Sequence, residues 1–139
     1  MILCDTSAMI ALINQRDSHH ERCKLALKGL RSRLITTWAC VTEAMYLLGE
    51  VDKERGVQAQ EVLRGYLEDR RILLHIGSEE EANRIYALMR KYKKMDFADG
   101  SLVAAAESLN IRRIFTLDSD FYFYIINDKS PFEVLPNTP

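Results

Sequence analysis

Apolar residues recur along this chain at two spacings, and the alternation between them predicts the elements. Ile2, Leu3 and Cys4 form a short apolar run of the kind a buried strand shows. Asp5 ends it where Thr6 or Ser7 could cap a helix running through Met9 to Ile13. Asn14 to Ser18 is polar and reads as a loop, followed by an amphipathic helix from His20 to Leu30 with Cys23, Leu27 and Leu30 on its inner side. Leu34 to Thr37 is a second strand, and Trp38 to Glu50 a helix with Val41, Ala44, Met45 and Leu48 on one stripe. Helix Val57 to Leu67, strand Ile72 to His75 and helix Ser78 to Tyr92 come next, the last opening on Ser78-Glu79-Glu80-Glu81, which resembles a capping box.

The segment from Asp96 to Ser108 is apolar on every side after two acids one turn apart, so it belongs in a core. A break near Asn110, a strand Ile114 to Thr116, an aromatic piece from Phe121 to Ile126 and a last strand near Phe132 to Leu135 complete the chain. Short apolar strands alternating with helices predict an α/β fold with a central, mostly parallel sheet covered by helices on both faces. Crossover connections place each helix start at the strands' carboxyl edge, where α/β ligands bind. Asp5, Glu43, Asp96, Asp99 and Asp118 can all reach that edge.

Acids at a buried helix start need compensation. Asp96 fits an N-cap as well as it fits a cation ligand. Asp99 is different, because its neighbours three and four positions away, Met95, Asp96, Leu102 and Val103, offer no basic partner. Glu43 likewise has only Ala39, Cys40, Tyr46 and Leu47 at those spacings, and we expect it to point inward. Clustered carboxylates without His or Cys suit Mg²⁺ or Mn²⁺, and such a centre can activate water and stabilise a leaving oxygen in phosphodiester hydrolysis.

At 139 residues, 47% of them hydrophobic, the chain fits one domain over residues 1–139. A net charge of -1 provides no global basic field, so composition by itself names no partner. Cys4, Cys23 and Cys40 are an odd number without CxxC spacing, which suggests neither a disulfide framework nor a zinc cluster and suits a reducing cytoplasm. The apolar stretch after Asp5 is broken by Asn14, Gln15, Arg16 and Asp17, too soon for a signal peptide or a membrane span.

The stretches Asp5-Thr6-Ser7-Ala8-Met9-Ile10-Ala11-Leu12, Thr42-Glu43, Asp96-Phe97-Ala98-Asp99 and Thr116-Leu117-Asp118-Ser119-Asp120-Phe121 together resemble the acidic motifs of PIN-domain ribonucleases, the VapC-type toxins in particular. The resemblance runs over nearly the whole chain in the family's order. It implies a PIN-like sheet of about five strands and an endoribonuclease dependent on Mg²⁺ or Mn²⁺, with Asp5, Glu43, Asp99 and Asp118 matching the core acids. Asp96 and Asp120 match accessory positions, each a metal ligand or a helix cap. Thr6, Ser7 and Thr116 match polar positions around the metal pocket, with local capping expected of Ser7. Gly100 stands where many relatives have Ala, and Ser119 where relatives often carry a basic residue. An RNA substrate, an antitoxin protein and a homodimer are the partners the resemblance implies.

Arg90, Lys91, Lys93 and Lys94 precede Asp96, as RNA-contacting groups or as cations favoured at a helix C-terminus. The rings at Phe121, Tyr122, Phe123 and Tyr124 are expected to pack, within the chain or at a dimer interface, rather than to stack on bases. His19, His20 and His75 show no metal spacing. An aspartyl-nucleophile phosphatase would need a second Asp where Ser7 stands, a non-catalytic PIN-like module would have a defective acid set, and a processing nuclease would lack an antitoxin.

Overall fold

Strand β1 (Ile2–Cys4) is the middle of a five-stranded sheet whose order is β3-β2-β1-β4-β7, with every pairing parallel. The structure, a computed structural model, describes residues 1–137. The other strands are β2 (Leu34–Thr37), β3 (Ile72–His75), β4 (Arg113–Phe115) and β7 (Glu133–Leu135). Leu3 lies opposite Ile35 on one side and Ile114 on the other. Consecutive strand residues face opposite ways, yet Ile2, Leu3 and Cys4 are all fully buried, so both faces of the sheet centre are covered.

Among the described residues six helices surround the sheet: α1 (Thr6–Ile13), α2 (His20–Gly29), α3 (Trp38–Gly49), α4 (Lys53–Glu68), α5 (Glu79–Lys91) and α6 (Phe97–Leu109). α6 is the core helix that its sequence predicts: every residue from Ala98 to Ala106 is buried. Leu102 and Val103 have no exposed surface, which contributes about 1.5–3 kcal/mol each. Small residues let α6 approach α5, where a Cβ on Gly100 would lie 2.8 Å from Ile85 Cγ2. The helix stops at Asn110, whose left-handed backbone (φ 55) returns its N–H to Ala106 O.

Beyond one-residue differences at helix ends, four features depart from the sequence-based expectation, each for a local reason. α1 is capped by Asp5, not by Thr6 or Ser7: its carboxylate accepts from Thr6 N at 2.7 Å. α4 begins at Lys53 rather than Val57, because Asp52 caps it through Arg55 N at 2.8 Å. β4 sits one residue early and frees Thr116 from the strand. The aromatic piece ends in a hairpin, β5 (Ile125–Ile126) and β6 (Ser130–Pro131), turned by Asn127 and Asp128 at φ 53 and 55. Two consecutive left-handed residues with Lys129 N donating to Ile126 O make a type I′ turn.

From β1 the chain builds the sheet outward to β2 and β3, then returns to place β4 on the other side of β1. The strand order therefore reverses between β1 and β4, and ligands of open α/β sheets bind at the carboxyl ends of such a pair. Asp5 follows β1, and Thr116 and Asp118 follow β4. Among the described residues no helix is long and apolar enough to cross a membrane.

Candidate metal centre

At this reversal a cavity of about 600 Å³ opens, and all six acids singled out by sequence line it: Asp5, Glu43, Asp96, Asp99, Asp118 and Asp120. They come from the end of β1, from α3, from the start of α6 and from the segment after β4. Thr6, Ser7, Asp17, His19 and Lys94 share the wall.

Asp5 is held on three sides. Oδ1 accepts from Thr6 N, while Oδ2 accepts from Thr116 Oγ1 at 2.6 Å and Ser7 Oγ at 3.2 Å. The Thr116 bond spans the gap between β1 and β4. Thr116 Oγ1 also accepts from Asp118 N, and Ser7 Oγ from Leu117 N, both at 3.0 Å, so two hydroxyls fasten the post-β4 segment to Asp5. Ser7 is thus a tie between segments and not the local cap expected of it. With 4% of its surface exposed, Asp5 is pushed from 3.8 to about 6, chiefly by burial. The bonds from Thr116 and Thr6 oppose the rise, Asp118's charge adds to it, and Ser7 opposes it.

Asp99, 9% exposed, is pushed further, to about 7, by burial first and then by the negative charge of Asp96. The Tyr124 hydroxyl donates to Asp99 Oδ2 at 3.0 Å and works against that rise, whereas Asp5 and Asp118 add to it. The same burial, with the Asp99 carboxylate, pushes the Tyr124 hydroxyl far above its ordinary value, so it stays a donor. Tyr124 is itself fixed by edge contacts with Tyr92 and Phe121, centroids 5.1 Å apart in each pair. Nothing in a run of four rings marks which hydroxyl turns inward, and sequence reasoning missed it.

Asp99, Asp118 and Asp120 form the tightest group among the described residues, each offering a carboxylate oxygen within 4.8 Å of the others. A short 3₁₀ turn over Ser119–Tyr122 creates it: Asp118 Oδ1 accepts from Asp120 N at 2.9 Å, which folds Asp120 back beside Asp118. Asp120 therefore stands closer to Asp99 and Asp118 than its accessory motif position suggests. Asp96 Oδ1 caps α6 through Asp99 N at 2.8 Å while the residue also borders the cavity, so both of its expected roles are geometrically open. Glu43 is half-buried on the α3 wall, outside the group of three.

The donors here are carboxylates and hydroxyls, with two buried acids, Asp5 and Asp99, raised to about 6 and about 7 first by burial and then by neighbouring carboxylates, Asp118 beside Asp5 and chiefly Asp96 beside Asp99. That combination fits a hard divalent cation, which would supply the missing positive charge. The histidines do not join it as a set: His20 pairs with Ala11 O and His75 with Glu81, and His19 alone reaches the cavity wall. Of the aromatic run, Phe121 and Tyr124 pack into the core as expected, but Phe123 is 72% exposed.

The profile of the PIN domain family matches residues 2–124. Three solved structures share the fold. VapC20 of Mycobacterium tuberculosis, a toxin that cleaves the sarcin-ricin loop, superposes with a TM-score of 0.78 at 17% identity, covering 86% of this chain and 92% of that one. A toxin–antitoxin complex from Klebsiella pneumoniae gives 0.66 at 21% identity, over 87% and 90%. FitAB bound to a DNA fragment gives 0.64 at 23% identity, over 96% and 93%. No curated protein matches the chain significantly.

Proposed function

The chain belongs to the PIN-domain family, and from that premise we propose that it is an endoribonuclease dependent on Mg²⁺ or Mn²⁺, the toxin of a toxin–antitoxin pair. The observation that carries the reading is the convergence of six acids from four separate segments on one cavity at the strand-order reversal. A scaffold has no use for such an arrangement, because burying mutually repelling carboxylates costs stability. Asp99, Asp118 and Asp120 would hold a cation, with Asp5 and Glu43 completing the acidic wall. A divalent cation bound there supplies Lewis-acid charge to a phosphodiester and makes water a competent nucleophile.

The chain's own groups organise this wall. Thr116 and Ser7 fix Asp5, Tyr124 fixes Asp99, and Asp118 fixes Asp120 through its backbone N–H. Lys94, on the cavity rim, offers a positive charge to an approaching phosphate. An antitoxin partner is supported by one of the similar structures, which is described as a toxin–antitoxin complex. The homodimer has an apolar surface to use in the exposed rings of Trp38, Tyr86 and Phe97. Three buried, unpaired cysteines suit a reducing cytoplasm.

The test is cleavage of total RNA by the full chain, stripped with EDTA and then given Mn²⁺ or Mg²⁺. Cleavage that needs the metal and disappears in Asp118→Asn supports the proposal; cleavage that persists in EDTA or in that variant ends it. Growth arrest on expression, relieved by Asp118→Asn, separates a toxin from a processing enzyme, which would leave growth unchanged.

A further inference from the structure

Beside the acidic cavity lies a second, apolar cleft of about 320 Å³, bounded by Tyr92, Lys93, Lys94, Asp120, Phe123 and Tyr124. It shares Lys94 and Asp120 with the acidic cavity. Tyr124 joins the two from the other side, since the residue that lines the cleft also carries the hydroxyl bonded to Asp99. The cleft is therefore one side chain away from the proposed cation site.

Its walls combine two features that the fold itself does not use with a rigid aromatic base. Phe123 keeps 72% of its surface exposed between a core pair, Phe121 and Tyr124, that is almost wholly buried. An aromatic ring left in water forgoes the stabilisation that burial would give it. Lys93 and Lys94 are exposed and enter no ion pair among the described residues, whereas nearby Lys91 is taken by Asp128 at 2.7 Å. α5 ends at Lys91, so neither lysine sits in its last turn, and the helix C-terminus does not account for them. Tyr92 and Tyr124, locked edge to face, make the rest of the cleft rigid.

We propose that this cleft receives an unpaired nucleobase of the RNA strand, stacked on Phe123, with Lys93 and Lys94 contacting the phosphates that flank it. The inference rests on the reading of the adjacent acidic cavity as a ribonuclease centre, and it adds how the strand is gripped there. Aromatic faces accept any base, and a base in a duplex must first be unpaired and unstacked to enter such a cleft, so the site favours single-stranded segments. A protein segment fits less well. A chain entering a cavity lined by seven acids would bring cationic groups, which Lys93 and Lys94 repel, whereas a nucleic acid presents a phosphate to each lysine.

The experiment measures the affinity of a short, fluorescein-labelled, single-stranded oligoadenylate by anisotropy, with Mn²⁺ present and cleavage silenced by Asp5→Asn in the full chain. In that background Phe123→Ala weakens binding about 5- to 100-fold, Phe123→Trp restores it, and duplex RNA of the same sequence is unaffected by either. Lys93→Ala with Lys94→Ala lowers the slope of log affinity against log salt by about 1.4. Phe123 is exposed, so the alanine variant folds, and equal melting temperatures check this. Single-strand affinity within twofold of the parent, equal losses on duplex and single strand, or an effect confined to a bound antitoxin would each overturn the proposal. Metal-dependent cleavage by the unaltered chain is followed in parallel. If it is present while Phe123→Ala binds normally, the cleft fails and the ribonuclease survives; if it is absent, the ribonuclease reading is the one that fails.

Discussion

Replacing Asp5 with Asn should make the metal-free protein more stable, although it removes an acid at the centre of the site. Burial and neighbouring charge raise Asp5 from 3.8 to about 6, so its ionised form costs the folded state about 3 kcal/mol near neutral pH. Asn keeps Oδ1 as the acceptor for Thr6 N, and its amide can donate to Thr116 Oγ1 in place of the bond that Oδ2 accepts. Exchanging charge-assisted bonds for neutral ones forfeits about 1 kcal/mol, which leaves a net gain of about 1–2 kcal/mol. For a chain of this size that is a rise of roughly 3–8 °C in melting temperature. The gain must depend on pH with a definite sign. Between about pH 4 and 6 the folded protein keeps a proton on Asp5 that the unfolded chain releases, so the parent loses stability as pH rises through that window. The Asn side chain loses nothing there. Circular-dichroism melts of both proteins in EDTA, near pH 4 and near pH 7.5, should show the advantage only at the higher value. An Asp5→Asn protein that melts below the parent near pH 7.5, or by the same margin at both values, would refute the reasoning.

Mn²⁺ should raise the parent's melting temperature more near pH 8 than near pH 5, because Asp5 and Asp99, at about 6 and about 7, must shed protons to bind it; calorimetric melts at about 100 times the dissociation constant should show about 2.7 kcal/mol at the higher pH, and an equal rise at both values would contradict the assignment. Tyr124→Phe removes the one hydroxyl on Asp99 Oδ2, a bond to a charged group contributing about 1.5–3 kcal/mol, so Mn²⁺ affinity by titration calorimetry should fall at least tenfold while the aromatic packing and the fold persist. Gly100→Ala gains about 1 kcal/mol of helix propensity but drives a methyl to 2.8 Å from Ile85 Cγ2, and chemical denaturation should show a net loss of about 1–2 kcal/mol; a stabilised variant would mean that α5 gives way freely.

Much of this was legible because the sequence repeats one device: a short apolar run ending in a polar residue. Ile2–Cys4 before Asp5 and Leu34–Thr37 before α3 announce strands whose carboxyl ends share an edge, and the strands stand where the runs do. Asp99 was legible through its neighbours, since an acid without a basic partner on an all-apolar helix has to be answered from elsewhere. The parts that were not legible depend on angles that residue types leave open. Asp120 joins Asp99 and Asp118 because a 3₁₀ turn folds it back, and Asp-Ser-Asp does not encode that turn uniquely. Ser7 ties Leu117 N and Asp5 together only once β1 and β4 are neighbours, a pairing between residues more than a hundred positions apart. The run Phe121-Tyr122-Phe123-Tyr124 gives no sign that its first and last rings turn inward while Phe123 stays in solvent. The hairpin after it was readable in principle, from Asn127-Asp128, a pair that tolerates left-handed backbone.

The most direct measurement of the central claim is an anomalous difference map from crystals of the full chain grown with Mn²⁺. A peak is expected enclosed by the carboxylates of Asp99, Asp118 and Asp120, on the side of the cavity that Tyr124 and Thr116 brace. A saturated crystal with no peak in that cavity, or with Mn²⁺ only on surface acids such as Glu61 and Glu68, would contradict it.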